Sequence, residues 1–295
     1  MSDSANISII TSSIASFPLI KSLSNRKRLK RVITTETSAM LGDMMQQQFP
    51  EVNLTITKGN PISCADTELI VVFGFGEKLI PQEEKTIVNI HFGPLPENRG
   101  PDPIFWTLKE GKNLAYITIH QLTTDLDSGP ILKQKGYSIF PGENYGMLVN
   151  RLGILSTGLM EELLQNMPPP TPQEQKEATY KPLPTEADLK IDWSEMTSHQ
   201  IEKLVLACNP KYGGAKATLN NNRLNLYEVT PANVNLSAGQ QASPGLIVHA
   251  SKEQGLFVAC KEQTFVRVDI VASQEAIMSG HKLAAMGLQA GLVFE

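Results

Sequence analysis

Cysteine is scarce in this chain: Cys64, Cys208 and Cys260 are the only three in 295 residues. An odd, widely spaced set builds neither a disulfide framework nor a thiolate metal site, which leaves the role of small buried hydrophobes. Aromatics are few, at 6%, and no apolar run approaches the ~20 residues of a membrane-spanning helix. Neither sign of charge is in excess. The formal balance of −4 argues against a general nucleic-acid binder, whose affinity rests on cations neutralising phosphates. Both halves share this: fifteen bases against seventeen acids through Leu164, then eleven against thirteen. The opening Met-Ser-Asp-Ser-Ala-Asn lacks the charged and apolar regions of a secretory signal, so a cytoplasmic location is expected. His120, His199, His249 and His281 have no metal-like spacing and are assigned to structure; no metal is expected.

What the chain does have is a run of polar residues at a strand end. After the apolar Thr86-Ile87-Val88 come Asn89-Ile90-His91, then the Gly- and Pro-rich Phe92-Gly93-Pro94-Leu95-Pro96-Glu97-Asn98-Arg99-Gly100, which ends the strand. Residues two apart on a strand face the same way, so Asn89 and His91 project together. A second strand, Ala115 to His120, leads to Leu126-Asp127-Ser128-Gly129. Placed parallel and adjacent, the two strands bring an amide, an imidazole and a carboxylate into one crevice, where open α/β sheets bind ligands.

This pattern resembles the 10-formyltetrahydrofolate-dependent formyltransferases, on Asn89-Ile90-His91, Leu95-Pro96-Glu97-Asn98-Arg99-Gly100 and Leu126-Asp127-Ser128-Gly129. Phe92-Gly93-Pro94 departs from the small polar residue that many members carry there. The resemblance implies 10-formyltetrahydrofolate as co-substrate and Asn89, His91 and Asp127 as catalytic residues. It places Gly76, Glu77, Lys78 and Leu79 along the pteridine, with Thr123, Thr124 and Asp125 also on the folate side. Gly93, Pro94, Arg99 and Gly100 fall on the acceptor side. Read alone, Asp125 is equally a solvated turn residue, and Arg99 either clamps an acceptor anion or pins its own loop.

The remaining elements fit an α/β chain with a Rossmann-like, mostly parallel sheet. Ile7 to Ser13 reads as a first strand ending in a turn, further strands are expected at Arg31–Thr34, Leu54–Thr57 and Leu69–Phe73, and helices at Phe17–Leu23, Ser38–Phe49 and Glu143–Met167. Met40, Met44 and Met45 stand at helical spacing and read as core. Arg26 to Arg31, the one basic cluster, reads as a solvated loop on the far edge, with contact to a phosphate-bearing substrate as the alternative. Gly74-Phe75-Gly76 lacks a third glycine and a following helix, so a dinucleotide fingerprint is a poor fit. Trp106 faces either pocket or core. Pro168-Pro169-Pro170-Thr171-Pro172 cannot enter helix or sheet interiors. It marks residues 168–190 as a linker between a catalytic domain at 1–167 and a C-terminal domain at 191–295. That domain's short strands and polar turns indicate a small β-barrel, and the resemblance implies an OB-like one.

Formyl transfer from a folate nitrogen to an amine passes through a tetrahedral oxyanion, which needs aimed donors and a group to take the amine's proton. Asn89 offers an amide N–H, His91 a ring N–H, and Asp127 a base or an orienting partner. A carboxylate beside His91 is expected to raise its pKa. The acceptor is a primary amine on a small molecule, an amino sugar or a carrier-bound amino acid. Methionyl-tRNA is the alternative, against which stand the acidic charge and the direct run of Thr34–Ser38 into a helix where the resembled tRNA enzymes insert a basic loop. A formyltetrahydrofolate hydrolase would use the same three residues with water, and a folate-binding relative would turn nothing over. Oligomeric state is not indicated.

Overall fold

The computed structural model describes residues 6–82, 84–237 and 239–295. Two compact units divide the chain. One runs to Pro103 and adds Leu114–Ser138 and Leu148–Leu183; the other takes Ile104–Asn113, Ile139–Met147 and Pro184–Glu295.

The first unit is built on one sheet. Its strands are β1 (Ile7–Thr11), β2 (Leu29–Thr35), β3 (Leu54–Thr57), β4 (Leu69–Phe73), β5 (Thr86–His91), β6 (Leu114–Gln121) and β7 (Ile131–Ser138). They lie in the order β3-β2-β1-β4-β5-β6-β7. Helices α1 (Phe17–Asn25) and α2 (Ala39–Gln48) lie between these strands, α3 (Pro103–Lys109) falls in the other unit from Ile104 on, and α4 (Tyr145–Gln165) follows β7 and belongs to the first unit from Leu148. β1 and β4 are buried along their whole length, as expected for strands covered on both faces; β4 is apolar throughout, while β1 also buries Ser8 and Thr11. The strands from β3 to β5 pair in parallel. β6 and β7 do not: β5 with β6 and β6 with β7 are antiparallel. The expected parallel placement of the second site strand is thus corrected, and the new register sets His120 directly across from Asn89.

Two other expectations are revised here. On α2, Met45 is buried, but Met40 is 72% exposed and Met44 39%, so the methionine stripe is only partly core. The helix packs on an edge strand, β3, which is too narrow to cover a wide face. The basic cluster is not a free loop either. Leu29 to Arg31 already belong to β2, and Arg26 and Arg31 pair with Glu161 and Asp66 at 2.9 and 3.6 Å.

The second unit holds α5 (Glu186–Leu189), α6 (Ser198–Cys208), β8 (Ala215–Leu219), β9 (Asn222–Ala232), β10 (Ile247–Ser251), β11 (Gly255–Ala259), β12 (Phe265–Ala272), β13 (Ile277–Ser279) and α7 (Gly280–Ala285). Thr197 and Gln200 form a reciprocal capping box at the start of α6, satisfying backbone donors that a helix N-terminus leaves unpaired. The antiparallel order is β10-β11-β12-β9-β8, with β13 on β12. β8 and β9 are joined through Asn220 and Asn221 at φ 49° and 65°, the left-handed pair that a two-residue hairpin turn needs. The chain end then links both sheet edges: Phe294 bridges Leu219 of β8, and Val293 bridges Leu246 just ahead of β10. That closure makes the small barrel expected from the strand spacing.

Candidate active site

Asn89 and His91 stand on one face of β5, Asp127 on the turn after β6, and their side chains meet. Asn89 Nδ2 lies 3.3 Å from Asp127 Oδ1. His91 Nδ1 is 3.5 Å from Asp127 Oδ2, and its Nε2 is 3.0 Å from the Asn98 carbonyl. The Gly100 N–H donates to Asp127 Oδ2 at 2.9 Å. A β-carbon on Gly100 would collide with the Lys181 carbonyl, and one on Gly129 with the Gln121 carbonyl, so both loops close only with glycine there. Asp127 itself takes φ 53°, a left-handed conformation that costs a non-glycine residue roughly 1 kcal/mol or more.

His120 belongs to this cluster rather than to the structural histidines. It is 1% exposed. Its Nδ1 lies 2.9 Å from the Gln121 carbonyl, an oxygen that only accepts, so in the neutral ring Nδ1 carries the proton. Nε2 then accepts from Asn89 Nδ2 at 3.1 Å. The Asp127 carboxylate settles the amide's orientation: turned over, it would set Asn89 Oδ1 against Asp127 Oδ1. Both amide protons of Asn89 are therefore spent in the unliganded site. Spacing along the chain does not point to His120, because its place depends on β6 running antiparallel to β5.

Electrostatically the cluster holds an ionised carboxylate beside a neutral ring. Burial is the largest influence on His91 and lowers its pKa, as does His120; Asp127 and the Asn98 carbonyl pull upward without offsetting it. The expected upward shift of His91 is thus corrected. Leaving water costs the imidazolium more than one carboxylate at 3.5 Å returns. Burial pushes the Asp127 carboxyl up, but His91, His120 and the Gly100 N–H outweigh it and hold the group at about 2.

A cavity of about 640 Å³ opens beside this cluster, within the range of small-molecule sites. Asn89, Arg99 and Asp127 line it, as do Gly76, Glu77, Lys78, Leu79, Thr123, Thr124 and Asp125. His91, 5% exposed, lies behind that wall. Gly93, Pro94 and Gly100 are not among the lining residues: a β-carbon on Gly93 would come 2.6 Å from His91 Nε2, the Pro94 carbonyl accepts from the Glu97 N–H at 3.0 Å, and Gly100 serves Asp127. Arg99 pins its own loop, its guanidinium donating to Gln173 Oε1 at 2.6 and 3.1 Å and to Gln175 Oε1 at 3.2 Å. Glu77 is anchored by Thr35 and Thr37 at 3.3 and 3.2 Å. Ala178, Thr179 and Tyr180 also line it; they come from the stretch after the proline run, where composition alone does not mark a site. Among the described residues no group of three or more His, Cys, Asp or Glu is placed to hold a metal ion.

Two family models match this chain: formyl transferase over residues 58–163 and formyl transferase, C-terminal domain, over residues 185–286. A methionyl-tRNA formyltransferase of Geobacter metallireducens is 32% identical over 239 residues, covering 78% of this chain and 72% of that protein. Its counterpart in Enterococcus faecalis is 30% identical over 210 residues, covering 68% of this chain and 65%, just under two thirds, of that protein. The crystal structure of WlaRD, a sugar 3N-formyl transferase in the presence of dTDP and 5-N-formyl-THF, superposes with a TM-score of 0.66 at 14% identity. That match covers 92% of this chain and 98% of WlaRD, and at such identity it speaks for the fold.

Proposed function

The chain belongs to the formyl transferase family, and on that premise we propose that it moves a formyl group from 10-formyltetrahydrofolate to a primary amine. The observation that carries this reading is the meeting of Asn89, His91 and Asp127, with Asn89 and Asp127 on the wall of a cavity of about 640 Å³ and His91 directly behind it. We assign the first domain, residues 1–167, to the chemistry and 191–295 to the C-terminal domain; the stretch 168–190 joins them, its part through Leu183 packing with the first unit. Gly76 to Leu79 and Thr123 to Asp125 take the folate.

The amine nitrogen attacks the formyl carbon and its carbonyl electrons pass to oxygen. The nitrogen's proton goes to the ionised Asp127. The oxyanion's electrons then return to re-form the carbonyl, the carbon–nitrogen bond to folate breaks, and that nitrogen takes the proton back from Asp127, leaving tetrahydrofolate, the N-formyl product and an ionised Asp127. Asn89 enters as Asp127 is protonated. A neutral carboxyl is a weaker acceptor than a carboxylate, so the 3.3 Å bond gives way and the freed amide N–H turns to the oxyanion. His91 supplies the second N–H once Nε2 leaves the Asn98 carbonyl, and as a neutral ring it does not compete for Asp127.

Methionyl-tRNA is the second reading, favoured by the names of both relatives. Against it, residues 36–38 alone join β2 to α2, and the net charge is −4. The test supplies purified protein with 10-formyltetrahydrofolate and a panel of charged initiator tRNA, amino sugars and amino acids, and follows tetrahydrofolate release. Release with one amine, in step with its N-formylation, supports the proposal. Release with no amine present makes the protein a hydrolase, and binding of a folate analogue without turnover makes it a binding relative.

A further inference from the structure

Gln173 follows four prolines and a threonine in a stretch whose composition marks it as a tether, yet it is only 8% exposed. Its Nε2 donates to the Asp127 carbonyl at 2.8 Å and to the Gly129 carbonyl at 2.7 Å. Its Oε1 accepts from Arg99 Nη2 and Nε at 2.6 and 3.1 Å. Both donors and both lone pairs of the amide are occupied. Reversing the amide would face oxygen to two carbonyls and nitrogen to a guanidinium, so its orientation is set by its partners.

The two carbonyls belong to the turn that presents Asp127, a residue at φ 53°. Left-handed backbone at a residue with a side chain persists where surrounding groups over-determine it, and the Gln173 donors grip this turn on both sides. On the other side of the amide, Arg99 precedes Gly100, whose N–H binds the Asp127 carboxylate. The Arg99 backbone is held by the same stretch: its N–H donates to the Thr179 carbonyl at 2.9 Å, and its carbonyl accepts from the Lys181 N–H at 2.8 Å. Thr171 pairs with Ile131 next to the same turn. Residues 171–181 thus act as a strap, with Gln173 tying the Asp127 turn to the Gly100 loop.

We propose that Gln173 is a positioning residue for the transfer reaction: one buried amide fixes the backbone of Asp127 and, through Arg99, the loop that binds its carboxylate. The kinetic part rests on the formyl-transfer reading; the geometric part does not. A shift of the base by about 1 Å can cost on the order of 100-fold in rate.

The test compares Gln173→Ala, Gln173→Glu and Gln175→Ala with the parent chain. Gln173→Glu keeps the volume and a partner for Arg99 while losing both donors, so it serves if the alanine variant does not fold. Gln175 holds Arg99 from outside without touching the turn. The expected result is a fall in kcat of tenfold or more for both Gln173 variants, with KM for the folate within about twofold and Gln175→Ala near the parent. A second readout is the NMR titration of His91 in unliganded protein. Asp127 and His120 are the groups facing it, and displacing Asp127 should move the His91 midpoint in both Gln173 variants and not in Gln175→Ala. Folded Gln173 variants with parental kcat and an unmoved His91 midpoint would overturn the proposal and leave Gln173 a stability residue. If the parent chain transfers no formyl group, the reading of function fails by itself, and the His91 titration alone decides on Gln173.

Discussion

At the residue scale the chemistry turns on how protons are distributed among four side chains. Asp127 is ionised and held by the Gly100 N–H; His91 is neutral because burial outweighs its carboxylate neighbour. Removing one oxyanion donor usually costs on the order of 100-fold in rate. Asn89→Ala should therefore fall by at least that factor in kcat, and Asp127→Asn, which removes the proton acceptor, by on the order of 100-fold or more, both remaining folded by circular dichroism. His120→Leu leaves Asn89 without its acceptor, and a loss of about tenfold in kcat is expected there. The pH behaviour follows from His91. Its folded pKa lies below the ordinary 6.5, so above about 6.5 the ring is neutral in both folded and unfolded chains. As pH falls from there the unfolded chain takes the proton first, and stability declines through the folded midpoint. An NMR titration of the His91 ring should give a midpoint under 6.5, and a midpoint above that value would contradict the assignment.

At the scale of elements, two turns and a strap bring the site together. Gly100 and Gly129 lie where backbone passes against carbonyl oxygen. Gly100→Ala should destabilise by about 3 kcal/mol, as for other forced backbone conformations, read as a lower urea midpoint. Gly76, by contrast, has open space where a β-carbon would stand, with nothing within 4 Å. Gly76→Ala should leave the urea midpoint unchanged and show only as weaker folate binding, because the flat ring then meets a β-carbon.

The elements that sequence periodicity anticipates are those with a uniform environment. β4 is apolar throughout, and β1 is buried along its whole length. Asn89 and His91 share a face because a strand alternates, whatever its neighbours. Facts set by pairing are not legible in the same way. Nothing local decides that β6 runs antiparallel to β5, so spacing alone assigns His120 to structure. Nor does composition show that a Pro-rich stretch turns its glutamine inward to the Asp127 turn. The exposure of Met40 and Met44 likewise depends on α2 covering an edge strand.

At the scale of the whole molecule the question is which amine arrives. A net charge of −4, split across both halves of the chain, makes neither half basic as a whole, and binding a nucleic acid rests on cations neutralising phosphates. If the acceptor is a small amine, transfer should change less than about twofold between roughly 50 and 200 mM salt, whereas a tRNA acceptor bound through about six or more phosphate contacts would lose about 1,000-fold or more in affinity over that range. Running the salt series on the acceptor that the panel identifies separates the two.

Formyl transfer by Asn89, His91 and Asp127 underlies every expectation above. It is tested most directly by single-turnover transfer of isotopically labelled formyl from 10-formyltetrahydrofolate, with the parent chain and Asp127→Asn side by side. Label should appear in an N-formyl product for the parent, at a rate at least about 100-fold higher than for the variant that lacks the proton acceptor, with folate still bound by both. Equal rates in the two proteins, or label that reaches no amine in the parent, would contradict it.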